Sequence, residues 1–238
     1  MKVAILQCDT VLEKLQPQFG DYVDMIQHMF TSIDERFEFD VFDVQHNTYP
    51  NNIDAYDFYI TTGSKAGVYE DLPWIQTFID FIRLLDKQRK KLIGICFGHQ
   101  IIAKALYCKV EKSKKGWGIG VAVNRIVARP DWMENTSDQN KTELNILVSH
   151  QDQVMTITSK AVVIAESDFC PYFLVQWNSH FLSIQGHPEW LADYSRARIN
   201  DRKAVIPAVR INEGLDSLSL ELDNALFTRW VMNFLIQK

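Results

Sequence analysis

The hydrophobic pattern along this chain changes rhythm near its middle. In the first half, short apolar runs alternate with segments of helical spacing. Lys2–Cys8 is almost wholly apolar, as a strand buried on both faces requires, and Phe39–Val44, Phe58–Thr61 and Leu92–Ile95 predict further strands. Between them, Tyr22–Phe30 places Tyr22, Val23, Ile26, Met29 and Phe30 at helical intervals. Pro73–Arg89 does the same with Ile75, Phe78, Ile79, Ile82 and Leu85. Pro73 at the start of that segment and Arg89-Lys90-Lys91 at its end fit the helix punctuation rules and the macrodipole. Gly98–Leu106 continues from the fourth strand as a helix. Strands alternating with helices in this way predict an α/β fold, a doubly wound and mostly parallel sheet with flanking helices.

The second half reads as an antiparallel ribbon. Gly118–Ala128, Leu144–Ser149, Val154–Thr158, Ala161–Glu166, Tyr172–Trp177 and His180–Gln185 are strand-like with short connections, and Asn178-Ser179 is expected to be a tight hairpin turn. Ala192–Leu215 is polar and weakly patterned; it is expected to cap a site. Leu218–Ile236 predicts a closing amphipathic helix. No repeat, low-complexity tract or linker interrupts the sequence, so residues 1–238 are expected to form a single domain.

Composition narrows the functional classes. With 47% hydrophobic and 23% charged residues, the chain has what a packed core needs and lacks the signature of disorder. A net charge of −5 argues against non-specific nucleic-acid binding. No apolar run approaches the roughly 20 residues of a membrane span, and the N-terminus has neither the length nor the cleavage site of a signal peptide. Four cysteines are too few for a disulfide framework, which points to a reducing, cytoplasmic setting. Cys8, Cys108 and Cys170 share no metal-ligand spacing with the six histidines, so no metal or other cofactor is expected. Cys8 and Cys108 read as core and Cys170 as a loop residue. Lys112, Lys114 and Lys115 read as a solvated turn, and the six tryptophans as packing.

One cysteine stands apart. In Gly94-Ile95-Cys96-Phe97-Gly98-His99-Gln100 a strand runs into Cys96 and a helix begins directly after it, with glycines at −2 and +2. That is the layout of a nucleophile elbow, where a strained residue sits on a strand-to-helix turn and side chains at ±2 would collide with neighbours. The helix N-terminus beside it favours thiolate over thiol. A thiolate nucleophile needs a base and a group to orient it, and Gly186-His187-Pro188-Glu189 supplies both types just past a predicted strand.

Gly-Ile-Cys-Phe-Gly-His-Gln, followed 91 positions on (187 − 96) by His-Pro-Glu, resembles the class I glutamine amidotransferase family. The resemblance runs from about Leu6 to about Tyr194. It implies a flavodoxin-like sheet and a triad of Cys96 as nucleophile, His187 as base and Glu189 as orienting acid, which would hydrolyse a γ-glutamyl amide through a γ-glutamyl thioester. Ile60-Thr61-Thr62-Gly63-Ser64-Lys65 is similar to the family's oxyanion segment, which implies that the backbone N–H groups of Gly63 and Phe97 hold the oxyanion. The family commonly has two adjacent glycines where this chain has Thr62-Gly63. Gln100, Ser149, His150, Gln151 and Asp152 match substrate-binding positions. The substrate implied is glutamine, with a separate ammonia-accepting synthetase as partner, or a γ-glutamyl conjugate cleaved outright. Thr62–Asp71 looks most like the free-standing branch that includes γ-glutamyl peptidases. The alternative is a domain that keeps the fold for regulation or partner binding, idle until a partner docks.

Overall fold

The computed structural model describes residues 1–133 and 140–237. In chain order the first half is β1 (Lys2–Gln7), α1 (Gln16–Phe19), α2 (Tyr22–Thr31), β2 (Glu38–Asp43), β3 (Phe58–Thr61), α3 (Pro73–Lys87), β4 (Leu92–Ile95) and α4 (Phe97–Ala105). The second half continues with β5 (Val110–Lys112), β6 (Gly118–Ile126), β7 (Glu143–His150), β8 (Asp152–Val154), β9 (Ala161–Glu166), β10 (Leu174–Trp177), β11 (Phe181–Ile184), α5 (Ala192–Asp201), α6 (Ala208–Ser217) and α7 (Asn224–Ile236).

Nine strands form one sheet in the order β2-β1-β3-β4-β11-β10-β9-β6-β7. The first five are mutually parallel, and each later neighbour is antiparallel. The expected fold class is therefore the one observed, a parallel sheet with flanking helices and an antiparallel extension. β3, β4 and β11 are buried at every position, which is why they read as largely apolar runs, with Thr61 and Ser183 the buried polar exceptions. α3 begins with Pro73 in its first turn and buries Ile75, Phe78, Ile79, Ile82 and Leu85 against the sheet's core. α2 is capped by Asp21, whose carboxylate accepts from the first turn while Asp24 accepts from the Asp21 N–H.

This topology decides where chemistry can occur. β3, β4 and β11 are parallel, so their carboxyl ends share one edge. Following the antiparallel pairings outward, β7 also ends at that edge. Gly63, Cys96, His187 and the Ser149–Asp152 stretch therefore converge, although up to 124 positions separate them (187 − 63).

Several expectations are corrected. Ala192–Leu215, where no element was expected, forms α5 and all but the last two residues of α6, packed over β6 and β7. The pattern is weak because α5 buries Ser195 and Arg198 along with Tyr194 and Ile199, and α6 buries only Ile211 and Gly214. The last helix begins at Asn224 rather than Leu218. Asp223 ties the chain to β7, accepting from the Asn145 N–H at 2.8 Å and donating its own N–H to the Asn145 carbonyl at 2.9 Å. The strand expected over Val154–Thr158 is Asp152–Val154, paired with β5, a three-residue strand too short to leave a pattern. The β10–β11 connection has three residues, because Trp177 pairs with Phe181. Asn178 takes the left-handed conformation (φ 54°), and His180 turns inward to bond Asp86 at 2.7 Å.

Candidate active site

Cys96 leaves β4 with φ 51° and ψ −97°, a strained geometry for a residue with a side chain, and caps the N-terminus of α4. The glycines on either side permit it. A Cβ on Gly98 would lie 1.7 Å from the Thr61 hydroxyl oxygen, and one on Gly94 would lie 2.8 Å from the Gly98 carbonyl. The Thr61 hydroxyl in turn accepts from the Ile95 N–H at 3.1 Å, which locks β3 to the last residue before the turn.

His187 follows β11, and its N–H donates to the Leu147 carbonyl of β7 at 2.7 Å. Its Nδ1 is 2.8 Å from Glu189 Oε1. The imidazole lies flat on the Trp190 indole, ring centres 3.7 Å apart and planes 12° from parallel. Cys96, His187 and Glu189 are 6%, 3% and 7% exposed, so these groups act on one another through little water. Burial alone would pull the histidine below its ordinary value. The Cys96 sulfur and the Glu189 carboxylate outweigh burial and raise it to about 9. His187 is therefore an imidazolium at neutral pH, and its placement on an electron-rich ring favours the same charge state.

Gly63 faces this pair: a Cβ there would meet the His187 ring at 2.9 Å and Cys96 Cβ at 3.7 Å. Phe97 opens α4, so its N–H has no acceptor within the helix.

The other expected residues line the cleft around Cys96 in different ways. Gln100 donates to the Asp152 carbonyl at 3.0 Å and to Gln185 Oε1 at 3.2 Å. Gln185 passes the link on, its Nε2 reaching the Cys96 sulfur at 3.7 Å. His150 is buried and lowered to about 4, chiefly by burial and further by the charge on His187, so it is neutral. Its Nδ1 lies 3.1 Å from the Asp152 carbonyl, an arrangement that makes Nδ1 the protonated nitrogen. The Asp152 carboxylate accepts from the Tyr69 hydroxyl at 3.0 Å. Ser149 accepts a 2.6 Å bond from Arg202, and Gln151 lines the same cavity, of about 210 Å³.

Sequence reasoning missed Gln185, Trp190, Lys112, Trp117, Arg198 and Arg202. Trp190 and Trp117 read as packing and Lys112 as a solvated turn, yet the first supports the imidazole and the others line the cleft. A lysine in a basic run or an arginine in a polar helix carries no local signal of which way it faces. The remaining cysteines are buried, and burial raises each thiol, Cys170 to about 12. Among the described residues no cluster of three or more His, Cys, Asp or Glu could hold a metal, and no helix is long and apolar enough to cross a membrane.

The sequence model of the family described as glutamine amidotransferase class-I matches residues 19–205. The chain belongs to that family. This amidotransferase-family chain is 33% identical to gamma-glutamyl peptidase 4 of Arabidopsis thaliana over 180 residues, 74% of this chain and 70% of that one. It is 30% identical to gamma-glutamyl peptidase 3 of the same plant over 187 residues, 77% of this chain and 74% of that one. The crystal structure of a glutamine amidotransferase from Thermotoga maritima superposes with a TM-score of 0.77 over 99% of both chains, at 18% identity. That structure shares the fold with this family member.

Proposed function

We propose that the chain hydrolyses a γ-glutamyl amide with Cys96 as nucleophile, His187 as acid and base, and Glu189 as the group that orients His187. The observation that carries this reading is the buried His187, its Nδ1 2.8 Å from Glu189 Oε1, beside a nucleophile elbow whose glycines admit no side chain. Membership of the amidotransferase family and similarity to two γ-glutamyl peptidases support the reaction class.

The steps follow from the charges. The Cys96 thiolate attacks the γ-carbonyl carbon of the substrate. The carbonyl oxygen becomes an oxyanion, held by the N–H groups of Gly63 and Phe97. His187 donates its proton to the amide nitrogen, the carbon–nitrogen bond breaks, and the amine leaves. The γ-glutamyl thioester remains on Cys96. Neutral His187 then takes a proton from water, whose oxygen attacks the thioester, releasing glutamate and restoring the thiolate–imidazolium pair. Glu189 fixes the tautomer and steadies the charge throughout. Gln100 and the Ser149–Asp152 stretch hold the glutamyl end in the 210 Å³ cavity.

The test is to quench the wild-type chain during turnover of a γ-glutamyl dipeptide and digest it for mass spectrometry. A γ-glutamyl adduct on the Cys96 peptide is expected. Turnover with an adduct elsewhere, or undiminished turnover by Cys96→Ala, overturns the assignment.

A further inference from the structure

Cys96 stands at the junction of two lobes of the cleft. One contains Gln100, His150 and Asp152. The other contains His187 and Trp190, with Arg198 on its wall, and Arg202 lines both lobes. His187 delivers the proton to the departing nitrogen, so the leaving group must lie on the His187 side and the glutamyl group on the other. The leaving-group lobe is therefore the one walled by Arg198, with Arg202 standing where the two lobes meet.

The arginines differ in what they already hold. Arg198, in α5, pairs with Asp201 at 3.1 Å. Lys65, on the facing loop, pairs with Asp9 at 3.5 Å. Arg202, at the C-terminal end of α5, has no carboxylate partner among the described residues. Its guanidinium donates to the Ser149 hydroxyl at 2.6 Å and rests on the Trp117 ring at 5.0 Å. A largely buried guanidinium that is fixed in place by a neutral hydroxyl and an aromatic face retains donors for an anion. The lobe itself holds only about 50 Å³, which suits a compact group.

We infer that Arg202 is a specificity-determining residue that receives the carboxylate of a small leaving amino acid, so that γ-glutamyl amino acids are preferred over neutral γ-glutamyl amides. The inference rests on the assignment of Cys96 and His187 made above and adds the chemical class of the leaving group. During the reaction the carbon–nitrogen bond breaks, the His187 proton goes to the nitrogen, and the amino acid departs with its carboxylate unchanged. Water supplies the second half of the hydrolysis.

γ-Glutamylglycine and γ-glutamylmethylamide make the test, since they differ by the leaving-group carboxylate alone. In the wild-type chain, kcat/KM is expected to favour γ-glutamylglycine by about 10- to 100-fold, the range of one charge-assisted hydrogen-bonded contact. Arg202→Gln should bring that ratio close to one, and Arg202→Lys should leave it intermediate. A wild-type ratio near one, or a ratio unchanged by Arg202→Gln, overturns the inference. So does an equal loss on both substrates, which would mean that Arg202 reads the α-carboxylate of the glutamyl group. Calorimetric binding of the two compounds to Cys96→Ala, with and without Arg202→Gln, gives the same ratio without turnover. A wild-type chain that hydrolyses neither compound, with the binding preference intact, would overturn the hydrolytic reading and leave the carboxylate site standing. Equal binding of the two would overturn the site.

Discussion

Replacing Gly98 with alanine sets two opposed effects against each other. In a helix interior the change usually stabilises, because alanine is favoured over glycine by about 1 kcal/mol. Here the new Cβ would lie 1.7 Å from the Thr61 hydroxyl oxygen, 2.8 Å from Thr61 Cβ and 3.2 Å from Thr61 Cγ2. Rotating the Thr61 side chain removes the first contact and leaves the second, which is still closer than real Cβ atoms approach. Rotation also breaks the 3.1 Å bond from the buried Ile95 N–H, and an orphaned buried donor costs about 1–3 kcal/mol. Moving α4 away from β3 costs about 1–3 kcal/mol more. Net of the helix gain, Gly98→Ala should destabilise the chain by about 1–5 kcal/mol in urea denaturation. Because α4 carries the Phe97 N–H and its movement shifts Cys96, kcat/KM should also fall by roughly 10²-fold, the usual consequence of misplacing reacting groups by an ångström. Thr61→Ala added to Gly98→Ala should recover at least about 1 kcal/mol relative to additivity, since the two side chains are in direct conflict. An alanine variant as stable and as active as the wild type would refute this account of the turn.

Other perturbations address the charges. Above pH of about 9, His187 loses the proton it gives to the leaving nitrogen, so kcat/KM should fall on the alkaline side through that value. The same raised value means that the histidine's contribution to stability is complete below its unfolded value of about 6.5 and is lost as pH climbs through about 9. Cys96→Ala removes a sulfur that helps to raise His187, and NMR titration of the imidazole should show it deprotonating at lower pH than in the wild type; an unmoved titration would mean that the sulfur and the ring are not coupled. Glu189→Gln should lower kcat by roughly 10²–10⁴-fold, lower the denaturation midpoint at neutral pH and move the His187 titration to lower pH, because the buried imidazolium loses a counter-charge; an unmoved titration would remove Glu189 from its orienting role. A diazoketone analogue of glutamine should label Cys96 and spare the buried thiols of Cys8, Cys108 and Cys170, as read by peptide mapping; uniform labelling would remove any special status from Cys96.

The parts of the site that were legible in the sequence are those whose chemistry needs fixed spacing. Gly94 and Gly98 had to flank Cys96 because neighbouring elements pass within 3 Å of where their side chains would be, and that requirement is written locally. His187 and Glu189 fall two residues apart on one loop, so their 2.8 Å contact also follows from a short segment. Most of the sheet's parallel half was legible because strands buried on both faces, such as β3 and β4, leave largely apolar runs, whereas the His180–Gln185 stretch read as antiparallel ribbon and β11 in fact pairs parallel with β4. What could not be read depends on distant parts of the chain. Gln185 reaches Cys96 only because β11 pairs with β4, and its local sequence resembles any polar strand end. Arg202 enters the cleft only because α5 packs against the end of β7, and the buried polar face of α5 hides the helix itself. Trp190 is three residues after His187, yet its spacing does not reveal that one ring lies flat upon the other.

The central claim is that Cys96 attacks a γ-glutamyl amide under the charge of His187. Release of glutamate and amine by the purified chain, measured with glutamine and with γ-glutamyl dipeptides beside the Cys96→Ala variant, tests it most directly. The account predicts turnover of at least one of these substrates by the wild type and none by the variant. Equal turnover by the two chains, or none by the wild type on any γ-glutamyl amide, would contradict it.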